Sequence, residues 1–146
     1  MNQRYVVPTI ILLAWLGSLA MPVADTVSPN GQRDTATGLI VLSMGWLGPL
    51  VGQFAWFANL LLPIALAVAV KSRSGTRRFG LILAVLLGLL AVSAMFWSSV
   101  PMDNGENVIV RYRPGYWLWI AAVVAGASWV GIIAAKERAA VRLSSS

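Results

Sequence analysis

The chain of 146 residues contains no cysteine and no histidine, and only 11% of it is charged. Without cysteine there is no disulfide framework, no thiolate metal site and no thiol nucleophile. Without histidine the commonest near-neutral proton carrier, the usual haem ligand and the serine–histidine catalytic pair are excluded. Neither a glycine-rich phosphate loop nor a nucleophile beside a base is present. The residues therefore favour a non-enzymatic role, with no catalytic residue, metal site or cofactor assigned. A soluble domain is about one quarter charged, so the shortage of charge also bears on the solvent.

What the chain has in abundance is uninterrupted apolar sequence. Gly38 to Val70 runs for thirty-three residues without a charged side chain. As one helix it would be roughly 50 Å long, against a bilayer hydrocarbon core of about 30 Å. Pro49 interrupts it, because proline lacks the amide donor and pushes Gly48 away from the α region. The expected spans are then 5–24, 49–70, 79–100 and 115–135, with 38–47 as a re-entrant or interfacial shoulder. The first run also fits a signal peptide, with Ser18 and Ala20 at cleavage positions, but its length and the bulky Trp15 favour a retained helix. The fold class expected is an all-α integral membrane protein: a compact bundle of four transmembrane helices in a single membrane domain, 1–146.

Between the apolar runs lie short polar segments. Residues 25–37 read as a loop turning at Pro29-Asn30-Gly31, with Asp34 or Thr35 capping the segment that begins near Gly38. In the loop 101–114, Asp103-Asn104-Gly105 signals a turn, and Val108 to Arg113 has the β-formers for a short extended segment resting on the 25–37 loop or the shoulder. Lysine and arginine set the orientation. Arg4, Lys71, Arg73, Arg77, Arg78, Lys136, Arg138 and Arg142 fall on one side, and Arg33, Arg111 and Arg113 on the other. The positive-inside rule puts both termini in the cytoplasm, as in a bacterial inner (plasma) membrane protein. The net charge of +6 then reflects anionic lipid headgroups at Lys71, Arg73, Arg77 and Arg78 rather than nucleic acid.

Polar side chains inside the apolar runs are candidate contacts. Gln53 and Asn59 lie six apart, about 600° around a helix, so each amide needs its own partner. Pro63 frees the carbonyl of Asn59, four residues earlier. Trp15, Trp56 and Trp129 lie deep and need a hydrogen-bond partner or a packed cavity. Trp97, Trp117 and Trp119, with Tyr112 and Tyr116, suit an outer interfacial belt that Trp46 can join. Asp103, Glu106, Arg111 and Arg113 can meet a partner or ligand outside. Small residues at four-residue spacing, such as Gly80, Ala84 and Gly88, make packing faces. No span carries an ionisable side chain, which argues against a proton-coupled pump acting alone. The leading expectation is an accessory or structural subunit of a membrane assembly, with a protein partner or as a homo-oligomer. The alternatives are a lipid- or small-molecule-binding membrane protein and an oligomeric transporter or channel component, for which Gln53, Trp56 and Asn59 are the candidate ligand contacts.

Overall fold

The computed structural model describes residues 3–71, 77–102 and 105–144. Helix α1 (Gln3–Ala20) carries Pro8 in its interior and stops just before Pro22. The chain then enters a hairpin, β1 (Pro22–Val27) and β2 (Arg33–Thr37). Its turn holds Gly31 at a positive φ of 83°, which glycine adopts without a Cβ clash. Helix α2 (Gly38–Met44) begins directly after β2, and the side chain of Thr37 caps it by accepting from the Ile40 amide. Two 3-10 turns, Gly45–Val51 and Ala55–Phe57, lead into α3 (Ala58–Lys71). Then come α4 (Arg77–Ala94), the hairpin β3 (Ser99–Met102) and β4 (Gly105–Tyr112), and the long α5 (Pro114–Ser144).

The four strands form one antiparallel sheet in the order β2-β1-β4-β3. Pro101 sits on the edge strand β3, where a missing amide donor is tolerated. The charged β2 forms the other edge, and charged side chains discourage further strands from adding there. The sheet's central pair joins residues far apart in sequence, Asp25 facing Arg111 and Val27 facing Val108.

Helices α1, α3, α4 and α5 enclose the main core, which includes Leu62, Leu66, Leu83, Leu87, Val123 and Val130. Small residues set the closeness of α4 and α5. A Cβ added at Gly80 would lie 3.7 Å from Ala134 Cβ, and one at Gly131 would lie 3.8 Å from Ala84 Cβ. A smaller cluster of Val23, Ala36 and Tyr116 joins the sheet to the helices, packed by Val41, Trp97, Tyr112 and Ile120. The sheet lies where α1 ends and α5 begins. Gly38 fixes that corner: its amide donates to the Met21 carbonyl at 3.0 Å, and a Cβ there would meet the Ser18 carbonyl oxygen at 2.5 Å.

This architecture corrects the expectation of an all-α bundle of four transmembrane helices. The protein is mixed α/β, with five α-helices and a four-stranded antiparallel sheet among the described residues. One helix segment there, Pro114–Lys136, is long and apolar enough to cross a membrane, while the other apolar helices are shorter. The expected span 5–24 ends at Ala20, because Pro22 to Ala24 belong to β1. The expected span 49–70 loses its first part to the 3-10 turns, and α3 has 14 residues. The expected span 79–100 ends at Ala94, and Ser99 and Val100 pair in β3. The segment 38–47 is a short helix followed by the start of a 3-10 turn. The cap at its start is Thr37, while Asp34 and Thr35 lie in β2.

Candidate functional site

Asn59 sits in the first turn of α3 with only 7% of its surface exposed. A buried amide needs partners, and two indoles supply them. Trp15 Nε1 of α1 donates to Asn59 Oδ1 at 2.9 Å, and Trp119 Nε1 of α5 donates to the same oxygen at 2.7 Å. An indole N–H only donates, so this pair fixes which amide atom is the oxygen. One side chain thereby ties three helices together. Among the described residues no hydrogen bond from the amide nitrogen, Nδ2, is found, and Nδ2 is not one of the fully buried unpaired atoms.

Asn59 also lines a cavity at the helix–sheet junction. The cavity has about 70 Å³ of free volume and is walled by Leu42, Trp56, Trp97, Val100, Tyr116 and Trp119, among others. Several of the walls are held in place. Trp56 Nε1 donates to the Leu42 carbonyl at 2.9 Å, and its ring lies against Gly45, where an added Cβ would approach Trp56 Cδ1 to 2.3 Å. Tyr116 Oη donates to the Ala94 carbonyl at 2.9 Å and stacks on Tyr112 with ring centroids 4.3 Å apart. Tyr112 Oη donates to the Trp97 carbonyl, closing an aromatic cluster around the start of α5.

Gln53 lines the same cavity, in the stretch between the two 3-10 turns. The helical spacing that set Gln53 and Asn59 on different faces does not apply, because α3 begins only at Ala58. Gln53 Nε2 donates to Ser99 Oγ at 3.3 Å, and Ser99 Oγ donates in turn to Glu106 Oε1. A polar chain thus runs from the cavity wall through β3 to an exposed carboxylate on β4.

The remaining candidates lie elsewhere. Arg113 Nε donates to Asp25 Oδ1 at 2.9 Å, and Arg113 Nη2 lies 2.8 Å from Asp25 Oδ2, a two-pronged ion pair on the sheet. Arg113 holds the Asp25 carboxyl below the usual carboxylate range, with further lowering from the Thr35 hydroxyl and from Arg111. Arg111 is exposed opposite Asp25. Asp103 lies outside the described residues, as do Asn104 and Arg73. Lys71 and Arg78 are exposed at the end of the helices away from the sheet, and Arg77 opens α4. Trp129 packs against the main core, and Trp46 is exposed.

Gln53, Trp56 and Asn59 therefore meet at one cavity, Glu106 is linked to it through Ser99, and Arg111 and Arg113 belong to the sheet. Sequence reasoning missed Ser99, Asp25 and the inward role of Trp119. A signal for Trp119 was present. Trp117 and Trp119 are about 200° apart on a helix, so both cannot face the same surroundings. Trp117 is exposed and Trp119 is half-buried. No group of carboxylates among the described residues could hold a metal ion. Comparison with protein-family models, with curated proteins and with solved structures finds no match.

Proposed function

We propose that this is a bacterial inner-membrane protein that binds a small apolar molecule at the junction of its helices and its sheet. The observation that carries the reading is the cavity at Asn59, whose walls are mostly apolar and aromatic with a few placed polar groups, the lining though not the size of a drug-sized ligand's site, so the molecule it suits is small. Membrane placement is supported by the length of Pro114–Lys136 and by the exposed Leu13, Leu60, Ile64, Ile82, Val85, Leu89 and Ile132 on the helices. Apolar exposure on that scale marks a surface built to meet lipid or another protein. The connections support an orientation: α1 runs into the sheet and α5 runs out of it, so the start of α1 and the end of α5 lie away from the sheet, with Lys71, Arg78 and Lys136. On the positive-inside rule that end faces the cytoplasm and anionic lipid headgroups, and the sheet faces the periplasm.

The accessory-subunit reading stands second. It is favoured by Val108 and Val110, two apart on β4 and both exposed, where a partner or a second copy can pack. Native mass spectrometry of protein extracted in mild detergent separates the two. A retained small molecule with a protein monomer supports binding, whereas a stoichiometric protein partner with no small molecule overturns it in favour of the accessory role. The absence of cysteine makes the orientation directly testable. Thr35→Cys should react with an impermeant thiol reagent from the periplasm and Lys136→Cys only after the membrane is opened; labelling of both from one side defeats the placement.

A further inference from the structure

We infer that the cavity ligand is an uncharged, flat ring compound bearing a carbonyl-type oxygen, and that Asn59 Nδ2 donates the hydrogen bond that receives this oxygen. The inference rests on the small-molecule reading above and adds to it the chemical class. Three observations converge. First, the amide orientation is fixed by the two indoles, which leaves the Nδ2 donor of a side chain more than nine-tenths buried without an acceptor at the edge of an open volume. That nitrogen is not one of the fully enclosed unpaired atoms, so it is accessible, and an acceptor arriving there would gain a hydrogen bond that the amide does not make within the protein. Second, no Asp, Glu, Lys or Arg is among the residues lining the cavity. A charged ligand group would enter without a counter-ion, and burying it so is strongly unfavourable. Third, Trp56, Trp97, Tyr116 and Trp119 supply aromatic surface against which a flat ring packs well.

Water is the competing occupant. A single water needs about 10–15 Å³ of such volume, so the space would hold several. Each would need two or more polar partners. The polar groups here are few: Ser18 Oγ donates to the Trp15 carbonyl, Trp56 Nε1 to Leu42, Tyr116 Oη to Ala94 and Gln53 Nε2 to Ser99, while Trp97 Nε1 and Gln53 Oε1 have no partner among the described residues. One carbonyl group on an apolar ring fits this inventory better than a water cluster.

The test uses the protein in mild detergent and a matched pair of single-ring probes, 2-methyl-1,4-benzoquinone and toluene, with binding followed by titration calorimetry. The quinone should bind about tenfold more tightly, the equivalent of about 1.4 kcal/mol, and Asn59→Leu should abolish that preference. Equal affinity for both probes overturns the role of Asn59 while leaving the cavity as an apolar site. Failure of both probes to bind overturns the small-molecule reading itself, with solvent as the occupant. Because Asn59→Leu also removes the acceptor for two indoles, Ala55→Leu provides a second arm. It narrows the cavity and leaves the amide in place, so it should weaken both probes alike and preserve their ratio. An infrared band of the bound quinone carbonyl that is shifted to lower frequency in the parent protein and not in Asn59→Leu supports the hydrogen bond directly; an identical band in both overturns it.

Discussion

The helical layer and the sheet are built with opposite polarity. On α1, α3, α4 and α5 the large exposed side chains between the charged helix ends are apolar, while a tightly bonded polar node, Asn59 with Trp15 and Trp119, sits inside. On the sheet the exposed side chains include Arg33, Asp34, Thr35, Glu106 and Arg111, while Val23, Ala24 and Val100 are buried. A scattered exposed leucine says little, since much of any protein surface is apolar. Exposed apolar residues on successive turns of several helices say more, because together they make a continuous surface. The difference teaches that polarity is sorted in opposite senses in the two layers. The helices turn polar groups such as Asn59 inward, where they satisfy each other. The sheet carries its charges outward beside the exposed Val108 and Val110, while Val23 and Ala36 pack at the joint between the layers.

If the joint is what makes the two regions one structure, disturbing it should do more damage than disturbing either region alone. Gly38→Leu is the strongest test, because its Cβ would meet the Ser18 carbonyl oxygen at 2.5 Å and Leu19 Cα at 2.6 Å, both main-chain atoms that cannot swing aside. A loss of about 3 kcal/mol is expected, read as a large drop in the thermal midpoint in detergent; an unchanged midpoint would separate the sheet's fate from the helices'. Asn59→Leu comes next. It orphans two half-buried indole donors, for a loss of about 2 kcal/mol, and the Trp15 and Trp119 N–H signals should move together in an NMR spectrum. Gly126→Ala is milder. Its Cβ would meet Leu62 Cδ1 at 2.3 Å, the end of a side chain that can turn away, so about 1 kcal/mol is expected. Gly88→Ala is its control, with nothing within 4 Å, and should be neutral or slightly stabilising because alanine is the better helix former.

The contrast between the layers also explains what could be read from the residues. Apolar content was legible, because a run such as Phe79 to Val100 contains no charge whatever its backbone does. Where the backbone changes from helix to strand was not. Ser99 and Val100 look like the end of a helix until β4 is there to pair with them, and that pairing is tertiary. The strand alternation that could have revealed β1 is broken by an irregular register between Pro22 and Ala24, which leaves Val23 and Ala24 both buried. The extended character of Val108 to Arg113 was legible from its β-formers, and its partner was not, since β1 lies more than eighty residues upstream. At the candidate site, Asn59 stood out as a polar residue in an apolar run. Its two indole partners come from helices at opposite ends of the chain, and only the packing of α1, α3 and α5 brings them to one atom.

The weakest effect expected is also the one that most sharply divides the layers. The two-pronged Asp25–Arg113 pair, with the Thr35 hydroxyl on the same carboxylate, joins β1 to the residue that follows β4 and to β2. Asp25 is lowered from its ordinary value chiefly by its hydrogen bond to Arg113. A carboxyl whose folded pKa lies below its unfolded one binds more protons unfolded, so it contributes stability that is complete above the unfolded value. That contribution fades as the pH falls through the unfolded value of about 3.9 and is lost below the depressed folded one. Hydrogen exchange at the β1 amides should therefore accelerate at acid pH, while the amides of α4 and α5 keep their protection relative to one another. Asp25→Asn should remove the acid sensitivity of β1 and leave its exchange at neutral pH faster than in the parent. Equal acid loosening of the sheet and the helices would mean that the two regions open as one unit, and that the joint outweighs the difference in how they face their surroundings.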